Sequence, residues 1–302
     1  MIDKPLGPSS AQVVGRVKRL LQLPKGYKIG HGGTLDPLAS GVLPIAVGEA
    51  TKTVGYILDA TKTYEFTLQW GQQTTTDDSA GEVIATSAIC PTAAAVQAVL
   101  PQFTGVIEQT PPAFSALKID GQRAYALARQ GHTPAMASKT RHVTVSALTL
   151  TATTATTATL RATVSKGTYI RALGRDLALA LGTVGHISAL RRCQAGPFHL
   201  GQAQTLEGLD KSLKTGHSPA TLWPQVGLEV AVALADIPVY CGSDPELTAL
   251  QHGVLPPCPP GLSPGLCQVR NAAGQLGSVM MVTAPGQWAV VRNFNLISTK
   301  DR

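Results

Sequence analysis

Cysteine is scarce in this chain and scattered. Cys90, Cys193, Cys241, Cys258 and Cys267 are odd in number, contain no Cys-x-x-Cys pair and have no histidine doublet at zinc spacing beside them. A disulfide framework and a structural metal site are therefore not expected, and the thiols read as free. Long apolar runs are also missing. The uncharged stretches 83–107 and 143–160 are broken by proline or crowded with threonine, so neither reads as a membrane span. No basic-then-apolar leader precedes Asp3-Lys4-Pro5, and a cytoplasmic protein is expected. The stretch Gly48-Glu49-Ala50-Thr51-Lys52-Thr53 has the make-up of a phosphate loop without its Gly-x-x-x-x-Gly-Lys-Ser/Thr spacing, which excludes a nucleoside triphosphate site.

What is present is an ordinary globular chain. It has 302 residues, of which 44% are hydrophobic, enough for a sizeable core and roughly two domains. Disorder and a fibre are excluded. The net charge is +7, and its placement is uneven: residues 1–235 hold 21 Lys/Arg against 14 Asp/Glu, whereas 236–302 hold four of each. A basic larger segment suits a polyanion partner, and a solubility charge suits it equally.

Taken in order, Ser9 or Ser10 can cap a helix whose apolar stripe is Val13, Val14, Val17, Leu20 and Leu21. Its other face carries Arg16, Lys18 and Arg19 and is either solvated or directed at a polyanion. Residues 61–71 alternate and are rich in β formers, predicting a strand in which Tyr64 is by default a core or cross-strand aromatic. Thr92 opens an Ala-rich helix ending near Pro101 or Phe103. Residues 143–150 and 159–165 read as paired strands around a Thr/Ala tip at 151–157. After Arg171 comes a helix with Leu173, Leu177, Leu179 and Leu181 that Gly182 can end. From Ile237, short β-like runs (265–269, 276–282, 288–291) alternate with Gly and Pro turns, predicting a small β barrel.

One stretch organises the rest: Gly30-His31-Gly32-Gly33-Thr34-Leu35-Asp36-Pro37-Leu38-Ala39-Ser40-Gly41. Gly32 and Gly33 permit positive φ, and Pro37 fixes its own φ while pushing Asp36 towards extended backbone. Such a loop can present a carboxylate to a ligand; an isolated Asp-Pro more often just opens a turn. The whole string resembles the signature of the tRNA pseudouridine synthases of the TruB family. Further stretches resemble that family's motifs in order: Asp3-Lys4-Pro5 with Ser9-Ser10, Lys62-Thr63-Tyr64, Gly71 to Gly81 with Asp78, Ser165-Lys166-Gly167-Thr168-Tyr169-Ile170-Arg171, and Leu190-Arg191-Arg192.

The resemblance covers about residues 2–230 and implies the following. Asp36 is the catalytic aspartate, His31 stacks into the gap left by the target base, and Tyr64 stacks on the target ring. Arg171 pairs with Asp36, and Asp78 pairs with Arg171, with the adjacent Asp77 a second candidate. Lys4 supports the loop and is grouped, with Lys52, Tyr169 and Leu190, among the substrate- or RNA-contacting residues. The implied fold is α/β of the α+β type, a pseudouridine synthase fold with a mixed, mostly antiparallel sheet flanked by helices. The domains expected are a catalytic unit at 1–232, with a thumb-like insertion near 108–140, and a PUA-like β barrel at 233–302. The implied activity is an isomerase converting uridine-55 of the tRNA T loop to pseudouridine by base flipping. It needs neither cofactor nor metal, has the tRNA T arm as partner, and requires no membrane or protein partner; the expected state is a monomer. A guide-dependent relative inside a ribonucleoprotein and a tRNA-binding chaperone are the alternatives.

Overall fold

The structure is a computed structural model that describes residues 1–112, 114, 118–119, 122–123 and 139–295. Most of the expected insertion, including Tyr125, Arg129 and Gly131, lies outside the described residues.

The first half of the chain alternates strands β1 (Ile2–Lys4), β2 (Ile29–His31), β3 (Ala39–Leu43), β4 (Ile45–Val47), β5 (Lys62–Trp70), β6 (Gln72–Thr74), β7 (Val83–Thr86) and β8 (Gly105–Gln109) with helices α1 (Ser10–Leu20), α2 (Val54–Asp59) and α3 (Ala93–Val99). Short strands β9 (Lys118–Ile119) and β10 (Gln122–Arg123) pair with each other. Then follow β11 (Arg141–Thr153), β12 (Thr157–Val164), α4 (Ile170–Ala180), β13 (Gly185–Ala195), β14 (Phe198–His199), α5 (Leu206–Lys214) and α6 (Pro219–Val226). The chain closes with β15 (Val239–Cys241), α7 (Asp244–Gln251), β16 (Gly265–Arg270), β17 (Leu276–Ala284) and β18 (Gln287–Asn293).

Eight strands form one sheet in the order β1-β3-β13-β5-β12-β11-β8, with β14 joined to β13. Strand β3 runs parallel to β13, and the other described neighbours are antiparallel. This is the mixed, mostly antiparallel sheet flanked by helices that the sequence implies. Alternation along β5 turns Phe66, Leu68 and Trp70 to the same buried face as Leu160 of β12. Onto it α4 lays Leu173 and Leu177, each worth about 1.5–3 kcal/mol when fully buried. Gly174 permits that approach, because a Cβ there would lie 2.6 Å from Cδ1 of Ile187. On another part of the sheet α1 buries Val13 and Val17 against Leu35, Leu43 and Leu206. Tyr64 and Leu190 pack against both clusters.

Local expectations are met with some shifts. Ser9 caps α1 in a reciprocal box with Gln12, leaving Ser10 free for another contact. The threonine tip is shorter than 151–157: β11 continues to Thr153 and β12 resumes at Thr157, since β-branched threonine suits an extended, paired backbone. Arg171 lies inside the first turn of α4 rather than before it.

The C-terminal strands form a sheet in the order β15-β16-β17-β18, with α7 packing Leu247 and Leu250 against Val269, Met280 and Val282. Among the described residues β15 and β18 do not pair, so the expected barrel is an open four-stranded sheet here. A helix rather than strand closure covers its apolar face. All five cysteines are free thiols, and no described helix is long and apolar enough to cross a membrane.

Candidate active site

The loop between β2 and β3 is held from three sides. Ser10 Oγ accepts from the Leu35 amide at 2.8 Å and donates to the Leu35 carbonyl at 2.9 Å. The guanidinium of Arg192, itself 1% exposed, donates to the carbonyls of Gly33, Thr34 and Val42 at 3.0, 3.3 and 2.7 Å. The Gly7 amide reaches the Pro37 carbonyl at 2.9 Å. Gly41, at φ +105°, pairs with Arg192 so closely that a Cβ would fall 2.2 Å from the Arg192 carbonyl oxygen, so only glycine fits. With Leu35 buried as an anchor, the next side chain, Asp36, is directed outward.

Its carboxylate lies 3.0 Å from Arg171 Nη2, and the burial of the two partners is unequal: the Arg171 side chain is 8% exposed and that of Asp36 44%. The arginine is fixed from behind. Its Nη1 donates to the Thr76 carbonyl at 2.9 Å and its Nη2 to the Phe114 carbonyl at 3.0 Å, while Nε faces Asp78 Oδ2 at 3.6 Å. Asp78 is positioned in turn by the Thr76 hydroxyl at 2.6 Å and the Ala80 amide at 3.0 Å. A guanidinium near a helix N-terminus meets an unfavourable dipole, which two carboxylates offset. Asp36, Leu38, Asp78, Arg171, Ile187 and Leu190 line one narrow cleft. A larger, mostly apolar cavity of about 860 Å³ beside Tyr27, Trp223 and Leu276 contains none of the sequence-predicted site residues. The charge arrangement, not the volume, marks the candidate site.

The remaining sequence-predicted residues fall into distinct places. Tyr64, in β5, is opposite Ala162 on one side and Arg192 on the other and is half-buried. His31 pairs with Ile45, and its Nδ1 is buried with no hydrogen-bond partner among the described residues. Burial, with Arg192 adding to it, lowers the His31 pKa, so the ring is neutral near pH 7. Tyr169 is the residue before α4. The Gln109 carboxamide holds its amide at 2.7 Å and its carbonyl at 3.1 Å, and Arg141 lies 5.1 Å over its ring.

Two lysines of the expected grouping have their ammonium groups engaged within the protein. Lys4 has no exposed surface, and its ammonium donates to the Pro5 and Pro8 carbonyls at 2.9 and 2.8 Å; it braces the 5–8 turn, whose Gly7 amide in turn binds the Pro37 carbonyl. Burial pushes its pKa down to about 8, against the pull of Asp36 and with a smaller push from Arg192. Lys52 is engaged elsewhere: it pairs with Glu49 at 2.7 Å, donates to the Asn293 carbonyl at 2.8 Å and lies 5.8 Å from the Phe294 ring. The ammonium is spent on joining the 48–53 turn to the end of β18.

Three residues of the site escaped the sequence reading. Ser10 is visible only as a possible cap and as the end of the first family-like motif, with no partner indicated. Arg192 was visible only as a neighbour of Leu190, because bonds to backbone carbonyls leave no pattern in side-chain spacing. Arg175, beside the cleft and paired with Asp77 at 3.1 Å, could have been found from two arginines four apart on a helix with a pair of adjacent acids elsewhere in the chain.

The chain matches two family models: "TruB family pseudouridylate synthase (N terminal domain)" over residues 18–170 and "tRNA pseudouridylate synthase B C-terminal domain" over 171–222. A tRNA pseudouridine synthase B from Gluconobacter oxydans is 49% identical over 84% of this chain and 75% of its own. One from Novosphingobium aromaticivorans is 46% identical over 98% of this chain and 96% of its own. Among solved structures, a chain of a Cbf5-Nop10-Gar1 complex superposes with a TM-score of 0.70 at 26% identity, covering 96% of this chain and 81% of that one. A chain of the archaeal box H/ACA sRNP Nop10-Cbf5 complex gives 0.69 at 25%, covering 97% and 84%.

Proposed function

This chain belongs to the TruB family of pseudouridylate synthases, and on that premise we propose that it isomerises uridine-55 in the T loop of tRNA to pseudouridine. That it is a pseudouridine synthase, an isomerase acting on tRNA, follows from relatives of that name over nearly its whole length. The observation that supports the aspartate-dependent chemistry is the pairing of an accessible Asp36 with a buried Arg171 at 3.0 Å; the choice of uridine-55 rests on the resemblance of the sequence motifs.

Isomerisation breaks the N1–C1′ bond and forms a C5–C1′ bond; the proton on C5 is lost and N1 gains one, so composition is unchanged. No oxidation or group transfer accompanies it, and no cofactor is needed. The carboxylate of Asp36 must be ionised beside the ring. Whether it adds to the base, adds to the sugar or stabilises the detached base, Arg171 serves the same end by favouring the charged form and holding its direction. In this reading Tyr64 and Leu190, which pack against both core clusters, flank the uracil. A folded-in base must first be extruded, at a cost of a few kcal/mol, and a neutral His31 ring can stack in the gap.

In this reading residues 1–232 are the catalytic unit, with an insertion at about 108–140, and 233–302 are a PUA-like unit. The enzyme works in the cytoplasm as a monomer without a protein partner. Incubating the purified chain alone with a T-arm stem-loop and analysing the RNA for pseudouridine tests this. Conversion at uridine-55 supports it; conversion only with an added guide RNA or protein, or none, overturns it.

A further inference from the structure

Helix α4 carries two arginines one turn apart, Arg171 and Arg175, and they face two adjacent acids, Asp78 and Asp77, on the loop between β6 and β7. The pairing is one to one: Arg171 Nε to Asp78 at 3.6 Å and Arg175 Nη1 to Asp77 at 3.1 Å. Arg175 is itself steered by Asp176, 2.9 Å from its Nε, and by the Thr110 carbonyl, 2.9 Å from its Nη2.

Asp77 is the more confined acid. It is 6% exposed, and it is a non-glycine residue at φ +57°. Its carbonyl is bound by the Ile187 amide at 3.0 Å, so neither backbone nor side chain can turn to water without disturbing the cleft wall. A buried carboxylate requires a cation. Burial raises its pKa; Arg175 is the largest opposing influence, followed by a hydrogen bond from the Gln73 side chain and then by the charge of Arg171. Arg171 is thus within electrostatic reach of three carboxylates, Asp36, Asp77 and Asp78. It has one nitrogen, Nη2, that serves Asp36, and that same nitrogen also bonds the Phe114 carbonyl.

We propose that Arg175 is a positioning residue: by occupying Asp77 it reserves the Arg171 guanidinium for Asp36. Neither Arg175 nor Asp77 lines the cleft that holds Asp36, so Arg175 acts through Arg171 and not on the substrate. The inference rests on the reading of Asp36 and Arg171 given above. Its structural content, the direction in which Arg171 faces, can be read without any turnover.

The test uses the full chain and the variants Arg175→Gln, Asp77→Asn and the double variant. In Arg175→Gln the unmatched Asp77 draws Arg171 away. RNA affinity then stays within about threefold while the single-turnover rate falls at least about tenfold. Asp77→Asn alone stays within about threefold of the parent, and adding it to Arg175→Gln restores the rate to that range, because the amide no longer competes for the cation. The Nε–H resonance of Arg171 in ¹⁵N spectra should shift in Arg175→Gln and return in the double variant. An Arg175→Gln rate within about threefold of the parent, a double variant no faster than the single one, or an unmoved Arg171 resonance each overturns the inference. If Arg175→Gln does not fold, a large loss in Asp77→Asn alone overturns it and an unchanged rate upholds it. A parent without activity would count against the proposed reaction, while the Arg171 resonance still decides this point.

Discussion

A single hydroxyl, that of Ser10, satisfies both polar backbone groups of Leu35, accepting from its amide at 2.8 Å and donating to its carbonyl at 2.9 Å. Since Leu35 immediately precedes Asp36, the start of α1 and the candidate catalytic acid are rigidly connected. The two hydrogen bonds are buried, where leaving a partner unmade costs more than the bond contributes.

Ser10→Ala should therefore destabilise the fold by about 1–3 kcal/mol, through two orphaned buried groups, and slow turnover as the loop loses its reference point. Urea unfolding measures the first effect and single-turnover kinetics the second. An unchanged unfolding midpoint would show that the loop does not depend on this hydroxyl.

Asp36→Asn should abolish turnover while leaving tRNA binding within about tenfold, because the amide keeps the shape and loses only the charge. Retained activity would remove Asp36 from its role.

Arg171→Lys replaces a planar five-donor fork by a point charge on a flexible stem. Four acceptors now surround the guanidinium: the carboxylates of Asp36 and Asp78 and the carbonyls of Thr76 and Phe114. Lysine cannot serve them together, and a loss of at least about 2 kcal/mol in transition-state stabilisation, roughly thirtyfold in rate, is expected with little change in melting temperature. A lysine variant within about threefold of the parent would refute the positioning role.

Lys4 yields a pH prediction. Its folded pKa of about 8 lies below the unperturbed 10.5, so between these values the unfolded chain binds more protons than the folded one. Stability contributed at this position accordingly rises with pH through that window and is lowest below about pH 8, where the ammonium is buried in charged form. Lys62 shares the same direction of shift and is present in both proteins. Comparing unfolding free energies of the parent and Lys4→Met from pH 7 to 10.5 isolates Lys4. The parent should gain on the variant as pH rises; a constant difference refutes the assignment.

Much of this site is legible in the sequence because its chemistry is concentrated in short strings. Gly30 to Gly41 contains the acid and the residues that shape its turn, and the run ending at Arg171 contains the cation. The choice between Asp77 and Asp78 was open in the sequence and is settled by the turn of α4, which sets Arg171 against one and Arg175 against the other. Alternation revealed the C-terminal strands but not that α7 covers their apolar face, since periodicity reports which side of a strand is buried and not what buries it. The buried roles of Lys4 and Arg192 were hidden for a related reason. Charged residues are read as surface by default, and only tertiary placement shows a ring of carbonyls around them.

The bonds from Arg192 to Gly33, Thr34 and Val42 join positions 159, 158 and 150 residues apart. A chain growing from its N-terminus holds the acid loop long before it holds the arginine that braces it. Contacts of such sequence separation form late, after the loop-closure entropy between them has been overcome. A nascent or truncated chain ending before β13 would carry the whole Gly30 to Gly41 string with its Ser10 and Gly7 contacts but without the arginine that binds the Gly33 and Thr34 carbonyls. The final bracing of the acid loop is thereby tied to the central strand β13.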